Sequence, residues 1–518
     1  MARLGEVLPG MLQDRGVEIV FGVPSVRAVE LYRGLAAAGL RHVTARHEQG
    51  AGFMAEGYAR VAGRPAAVFA GSGPGLSNLV TAMAQARSES IPMLVLTAAA
   101  PGEDDGALAR QGALWSRRVA QADALAPALD AAMAQFSAAR PGPVHLELPA
   151  ELLAAEAPDP TTAPDPAMPT APAIAEIAEI VMRLSAAARP LLIFGGGATR
   201  AAAEARKLAE RLEAPVLLSS NARGLLPPGH RLLVGGHLHT APVQEMLARA
   251  DAVLAIGAEL SPADWSQSGD APPIFAEDSL LRVDIDPEGL ARNATPAHGV
   301  AADTRETIAM LLESLPQRDA AAPDLAPIRE RALAATPERL ARHRALLDGI
   351  WEALPEAVVV GDVTEPAQAG RLGANPPAPR RWWTAATGYG APGYALPAAI
   401  GAKLADPRRP VVALAGDGGA LFTLSELAAA ADASAHVVLL VWNNSGFGEA
   451  RDAMQTRGVK PIGVEPTPVE FQPLARGFGA AHARVHGLTF LREALKKAVM
   501  RPSPTVLELR EEFWFDTA

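Results

Sequence analysis

VVALAGDGGALFTLSELAAAADASAHVVLLVWNNSGFGEARD, residues 411–452, is the stretch whose reading decides the fold. It opens on a short apolar run, Val411–Ala415. A segment of helical pattern follows, Thr423–Ala433, with Thr423 placed to cap it, and the stretch closes on a second apolar run, His436–Trp442. Two runs of strand length flanking a helix predict a βαβ unit, whose strands are parallel because the crossover returns the chain right-handedly to the same sheet. Asp417 and Asn444 then both leave carboxyl ends of strands. They can converge in the crevice where open α/β sheets bind ligands.

The same alternation runs through the chain. Val17–Phe21, His42–Ala45 and Ala66–Ala70 read as strands, with helical stretches at Val29–Ala38 and near Glu48–Val61 between them. A second series starts at Pro190 and continues through Val253–Gly257 and Leu281–Asp286, and a third begins at Val358. Proline-rich segments separate them: APDPTTAPDPAMPTAP between Glu156 and Pro172, and the Pro/Ala/Asp stretch Pro316–Pro327. The expected fold class is therefore α/β, with three doubly wound parallel-sheet domains at 1–157, 172–316 and 328–518. Gly195-Gly196-Gly197 follows a strand and opens a helix as a dinucleotide loop would. The third glycine of that fingerprint falls on Arg200, so a tight strand-to-helix turn explains the glycines better.

Composition narrows the function. Of 518 residues 49% are hydrophobic, and 47 basic against 57 acidic side chains leave a net charge of −10, with no basic run to track a phosphate backbone. Nucleic acid is not an expected partner. There is no cysteine, so any metal must be held by oxygen or imidazole. The charged N-terminus lacks the apolar stretch of a signal peptide, and no apolar run approaches the ~20 residues that cross a bilayer. No membrane association is expected, and the expected location is the cytoplasm.

Within residues 411–452 the chemistry-bearing groups suit one ion. Mg²⁺ takes compact octahedral oxygen coordination, commonly one or two protein side chains plus phosphate. Asp417 offers a carboxylate, Asn444 an amide oxygen, and Gly446 a carbonyl that no side chain shields. Gly416, Gly418 and Gly419 leave backbone amides free to approach a diphosphate. Alone, either the Gly-Asp-Gly or the Asn-Asn would read as an ordinary turn. Together, with 24 residues between Gly418 and Asn443, they form the pattern of thiamine diphosphate enzymes.

The resemblance extends over the whole chain, to the superfamily of acetolactate synthases and 2-keto acid decarboxylases. It implies a pyrimidine-binding first domain, a central domain and a diphosphate-binding third domain, with Mg²⁺ on Asp417, the Asn444 side chain and the Gly446 carbonyl. RHEQGAGFMAEGYARVAGRP, from Arg46, resembles the family segment whose glutamate bonds N1′ of the aminopyrimidine. By that likeness Glu48 is the catalytic carboxyl, sharing a proton with N1′ so that the cofactor's C2 becomes nucleophilic. From the residues alone, Glu48 would equally well serve as a first-turn acid complementing a helix dipole. Because Glu48 and Asp417 belong to different domains, the resemblance also implies a homodimer or a dimer of dimers.

Among members, VELYRGLAAAGLRHVTARHEQGAGFMAEGYAR, RVDIDPEGLARN and ATGYGAPGYALPAAIGAKL look most like 2-ketoarginine decarboxylases. The expected reaction is non-oxidative decarboxylation of a 2-keto acid to an aldehyde and CO₂. The alternatives are an acetolactate synthase-type carboligase, a 2-hydroxyacyl lyase, or a protein that binds the cofactor without turnover. No FAD determinant stands out, and FAD is not expected.

Four departures fall around the substrate. Pro392 stands where the family has a large apolar residue that wedges the cofactor and donates a backbone N–H to the pyrimidine, and proline has no N–H; Gly390, whose carbonyl accepts from the pyrimidine amine, is kept. Ser25 replaces the glycine of the family's Gly-x-Pro-Gly turn. The segment Gly102–Trp115, with Gln111, is short, and GDVTEPAQAG at Gly361–Gly370 differs. Ser25, Gln111, Glu365 and Glu449 are accordingly the candidate substrate contacts. Asp104, Asp105, Glu365 and Glu449 could pair with a cationic substrate tail.

Overall fold

The computed structural model describes residues 2–99, 102, 104–159, 162–265 and 274–514. Eighteen strands among these residues form three six-stranded sheets. The first holds β1 (Ile19–Gly22), β2 (Arg41–Thr44), β3 (Ala66–Gly71), β4 (Met93–Ala99), β5 (Trp115–Arg118) and β6 (Pro143–Pro149), in the order β2-β1-β3-β4-β6-β5. The second holds β7 (Pro190–Phe194), β8 (Val216–Leu218), β9 (Leu233–Gly235), β10 (Ala252–Ile256), β11 (Leu280–Asp284) and β12 (His298–Ala301), in the order β12-β11-β10-β7-β8-β9. The third holds β13 (Val358–Gly361), β14 (Trp382–Thr384), β15 (Val411–Gly416), β16 (Val438–Asn443), β17 (Ala481–Val485) and β18 (Thr505–Arg510), in the order β14-β13-β15-β16-β18-β17.

Every pairing with a stated register is parallel. Central strands such as β3 and β4 are buried on both faces, which is why they read as continuous apolar runs rather than alternating ones. The α/β expectation holds, with three parallel sheets flanked by helices.

By contacts the chain forms two compact units. One contains Met1–Met168, Ala357–Thr364 and Thr384–Ala518; the other contains Pro169–Glu356 and Glu365–Trp383. Within the first unit, the helix Glu48–Ala62 crosses the helix Ala395–Ala405 at backbone contact. A Cβ on Gly57 would lie 1.9 Å from the Ala398 carbonyl oxygen, and one on Gly401 1.8 Å from that of Met54. Two glycines thus allow the first and third sheets' helices to touch without side chains between them.

Local details differ from the sequence reading in two places. The helical stretch 29–38 is two short helices, Val29–Tyr32 and Leu35–Ala38, interrupted at Gly34, where a Cβ would meet the Glu6 carbonyl oxygen at 2.2 Å. The expected helix Thr423–Ala433 spans Glu426–Asp432, and a separate short helix, Asp417–Leu421, precedes it. Thr423 does not cap the second helix. Its buried hydroxyl donates to the Gly393 carbonyl at 2.7 Å instead. In the other unit, Cβ atoms on Gly195 and Gly197 would lie 2.1 Å and 3.0 Å from Gly257, so close strand-turn packing accounts for the triple glycine.

Candidate active site

β15 and β16 pair in parallel with Gly416 opposite Trp442, so the residues that follow them emerge side by side. Asp417 opens the turn after β15, and the Asn444 backbone N–H donates to its Oδ1 at 3.4 Å. One atom of the Asn444 amide lies 3.2 Å from Asp417 Oδ1 and 2.8 Å from the Gly446 carbonyl oxygen. With the amide oxygen there, it stands from each of the other two oxygens at about 3 Å, the separation of neighbouring ligands around an octahedral Mg²⁺. With the amide turned over, the same contacts become two hydrogen bonds. The donor set therefore fits a small divalent cation, and the rotatable amide keeps the cluster satisfied without one. Burial pushes the Asp417 carboxyl up, while backbone N–H groups of Asn444, Asp417, Gly418 and Gly446 pull it down.

Glycines are required around this cluster. A Cβ on Gly446 would lie 2.4 Å from the Val464 carbonyl oxygen, and one on Gly418 2.7 Å from the Phe447 ring. Cβ atoms on Gly419 and Gly416 would lie 3.3 Å from Asp362 Oδ1 and 3.1 Å from Thr364 Oγ1. Beside them Leu421, Phe422, Phe447 and the segment Pro466–Val469 line a mainly apolar cleft of about 320 Å³ that reaches Asp417 and Ser445.

The first asparagine of the pair has a different task. Asn443 donates to buried Glu508 on the neighbouring strand at 2.8 Å and accepts from the Ser445 N–H at 3.0 Å, turning the chain through Ser445 at φ +62°. It shapes the turn that presents Asn444 and Gly446.

The loop around Gly390 is held from two sides. Gln85 Oε1 accepts from the N–H groups of Gly390 and Ala391 at 3.2 Å and 3.3 Å, and Ser88 Oγ accepts from that of Tyr389 at 3.0 Å. Beyond the loop, the buried Asp362 carboxylate accepts from Gly393 and Ala395, each at 3.0 Å. Burial pushes the Asp362 carboxyl up against these bonds. Between the anchors Pro392 is exposed, and Gly390 and Gly393 turn at φ +82° and +81°.

Glu48 is the first residue of its helix, half-buried, and accepts from Asn78 Nδ2 at 3.0 Å. It follows β2, as Ser25 follows β1 and Gly73 follows β3, so all three gather at the carboxyl edge of adjacent strands. Ser25 caps the turn Val26–Ala28 by accepting from the Ala28 N–H at 3.3 Å.

The carboxylates considered for a cationic substrate separate clearly. Asp105 is buried and accepts from the Gly73 N–H at 3.1 Å, while Asp104 and Glu449 are exposed, as is Gln111. Glu365 already faces Arg339 at 3.5 Å and His343 at 3.6 Å. Burial opposes its ionisation, but the His343 and Arg339 contacts hold it below the usual carboxylate range.

Asn78, Gln85, Ser88, Asp362 and Glu426 were not singled out from sequence, and Asn443 was named only for the motif's spacing. One signal was available: Gln85 sits among Ala82, Met83, Ala84 and Ala86 in the helix Pro74–Ser88, where a buried amide needs partners. Asn78, on the same helix, is exposed and carries no such signal.

Three family models match the chain: "Thiamine pyrophosphate enzyme, N-terminal TPP binding domain" over residues 2–123, the central domain over 177–311, and the C-terminal TPP binding domain over 363–509. A Pseudomonas aeruginosa protein named probable 2-ketoarginine decarboxylase is 40% identical, over 98% of this chain and 93% of its own length. The large subunit of Escherichia coli acetolactate synthase isozyme 1 is 30% identical over the same shares. A solved structure, the Rhodococcus jostii thiamine diphosphate-dependent 4-hydroxybenzoylformate decarboxylase, superposes with a TM-score of 0.85 at 25% identity, covering 98% of this chain and 99% of that one. With an oxygen cradle suited to Mg²⁺ behind the Gly-Asp-Gly turn and family matches at both ends and the centre of the chain, the protein belongs to the thiamine pyrophosphate enzymes.

Proposed function

We propose that the chain catalyses non-oxidative decarboxylation of a 2-keto acid to an aldehyde and CO₂, with thiamine diphosphate anchored through Mg²⁺. The observation that carries the cofactor reading is the convergence of Asp417 Oδ1, the Asn444 amide and the Gly446 carbonyl. When bound, the cofactor supplies the carbon nucleophile and the electron sink that decarboxylation needs. The protein does the rest. Asp417, Asn444 and Gly446 would hold the cation; Gly416, Gly418 and Gly419 would leave room for the diphosphate; and Glu48 and the Gly390–Pro392 loop would hold the pyrimidine, Glu48 by sharing a proton with it. Decarboxylation is favoured over carboligation because the relative at 40% identity and the superposed structure are both named decarboxylases.

The first domain, 1–157, takes the pyrimidine and the third, 328–518, the diphosphate, with the central domain, 172–316, following the first along the chain. Glu48 of one copy serves Asp417 of another, so the active unit is at least a homodimer. FAD is not part of this reading. The substrate tail is read by Ser25, Gln111 and Glu449. Glu365, occupied by Arg339 and His343, is a weaker candidate. 2-Ketoarginine is the first substrate to try, with exposed Glu449 and Asp104 as its acidic partners.

The deciding experiment presents a panel of 2-keto acids, cationic, aromatic and aliphatic, with thiamine diphosphate and Mg²⁺. CO₂ and the matching aldehyde in equal amounts are expected. A 2-hydroxy-ketone product would replace this reading by carboligation.

Pro392→Leu supplies both a backbone N–H and apolar bulk at an exposed position between two anchored segments. Cofactor titration at saturating Mg²⁺ is expected to show about fivefold tighter binding, the worth of one net hydrogen bond of about 1 kcal/mol. Equal or weaker binding would mean the loop holds the pyrimidine without that residue.

A further inference from the structure

The helix Glu426–Asp432 follows the Asp417 turn, and its first residue is a carboxylate with no solvent exposure. That carboxylate is spent on a distant part of the sequence. Both of its oxygens lie 3.1 Å from the backbone N–H of Arg46, and Oε1 also accepts from the N–H of His47 at 3.0 Å. These two amides immediately precede Glu48, at the junction between β2 and the Glu48 helix.

Two further features are fitted to the contact. A Cβ on Gly50 would lie 2.2 Å from Glu426 Oε1, so the first turn of the Glu48 helix is bare where the carboxylate enters. At the far end of the same short helix Asp432 pairs with the Arg46 guanidinium. Burial pushes the Glu426 carboxyl up to about 7, against the Arg46 and His47 N–H groups and the Arg46 charge, which pull it down. Burying a carboxylate is unfavourable unless its bonds are needed.

We infer that Glu426 is a positioning residue: it fixes the junction before Glu48, and so aims the Glu48 carboxyl, from the same segment that carries Asp417. The inference rests on the reading of Glu48 as the cofactor's proton partner. Glu426 itself touches no reacting atom. A carboxyl group that must meet one ring nitrogen tolerates little angular error, and the backbone just before it is held by no other side chain's carboxylate among the described hydrogen bonds.

The test uses Glu426→Gln, which keeps the shape but loses charge and part of the accepting capacity, and Gly50→Ala, which displaces the carboxylate without altering it. Three measurements are made on the full chain: amide hydrogen exchange without cofactor, cofactor affinity at saturating Mg²⁺, and loss of deuterium from C2 of bound thiamine diphosphate. In both variants the Arg46 and His47 amides are expected to exchange at least about tenfold faster while those of β16 do not. C2 exchange is expected to fall at least about tenfold, with cofactor affinity within about threefold of wild type.

Unchanged C2 exchange with exposed amides overturns the inference, as do amides that stay protected. A parallel loss of cofactor affinity and of β16 protection also overturns it, by showing a general structural role. If Glu426→Gln does not fold, Gly50→Ala decides. None of the three measurements uses a keto acid, so a wrong substrate or reaction leaves the result standing; normal C2 exchange in Glu48→Gln would instead remove the reading on which it rests.

Discussion

Asp417→Ala is expected to weaken Mg²⁺-dependent binding of thiamine diphosphate by well over about 100-fold and to take turnover below detection. Asp417 is the only formal charge in the three-oxygen cluster; Asn444 and the Gly446 carbonyl are neutral. Without it, a doubly charged cation and a diphosphate would meet only dipoles. The fold should survive, because Asp417 accepts mainly from the amides of its own turn and the neighbouring one, and burial disfavours its charge. Isothermal titration with cofactor, with and without Mg²⁺, checks this. Cofactor binding of wild-type strength and unchanged Mg²⁺ dependence would remove Asp417 from the site.

Glu48→Gln should keep the cofactor yet lose about 10² to 10⁴ in turnover, the range for removing a positioned proton-transfer group. Gln can still bond to Asn78, so the variant isolates the proton from the shape. The measurement is loss of deuterium from C2 of bound thiamine diphosphate, where a wild-type rate would contradict the role. The same variant tests the shared site. If Glu48 of one copy serves Asp417 of another, coexpressing Glu48→Gln with Asp417→Ala chains yields mixed dimers with one intact and one doubly altered site. Random pairing then restores about a quarter of wild-type activity. If each chain supplied its own pair, no activity would return, and the homodimer reading would be lost with it.

Much of this molecule was legible in one dimension. The βαβ unit at 411–452 showed itself because buried parallel strands are continuous apolar runs, and β15 and β16 lie where those runs predict. Asp417, Asn444 and Gly446 could be named because the ends of adjacent parallel strands must converge, whatever the side chains between them. The linker compositions and the spacing of Gly-Asp-Gly to Asn-Asn are likewise properties of the chain itself. Glycine positions were visible too, but not their reasons: only the fold brings Gly446 against Val464 and Gly57 against Ala398.

What tertiary structure decided is how the named residues are held. Thr423 could have capped a helix, but a hydroxyl buried beside the Gly393 carbonyl bonds there instead. Glu365 read as free for a substrate until Arg339 and His343 were found beside it. Asp362, Gln85 and Glu426 anchor backbone N–H groups 31, 305 and 380 positions away in the chain. Local pattern carries no record of such partners, because a buried polar group is satisfied by whatever the packing brings within 3 Å. The sequence by itself determined the three parallel βα series and the convergence of Asp417, Asn444 and Gly446 at adjacent strand ends, since periodicity is local; which carboxylates are free and which already hold backbone in place depended on contacts between distant segments.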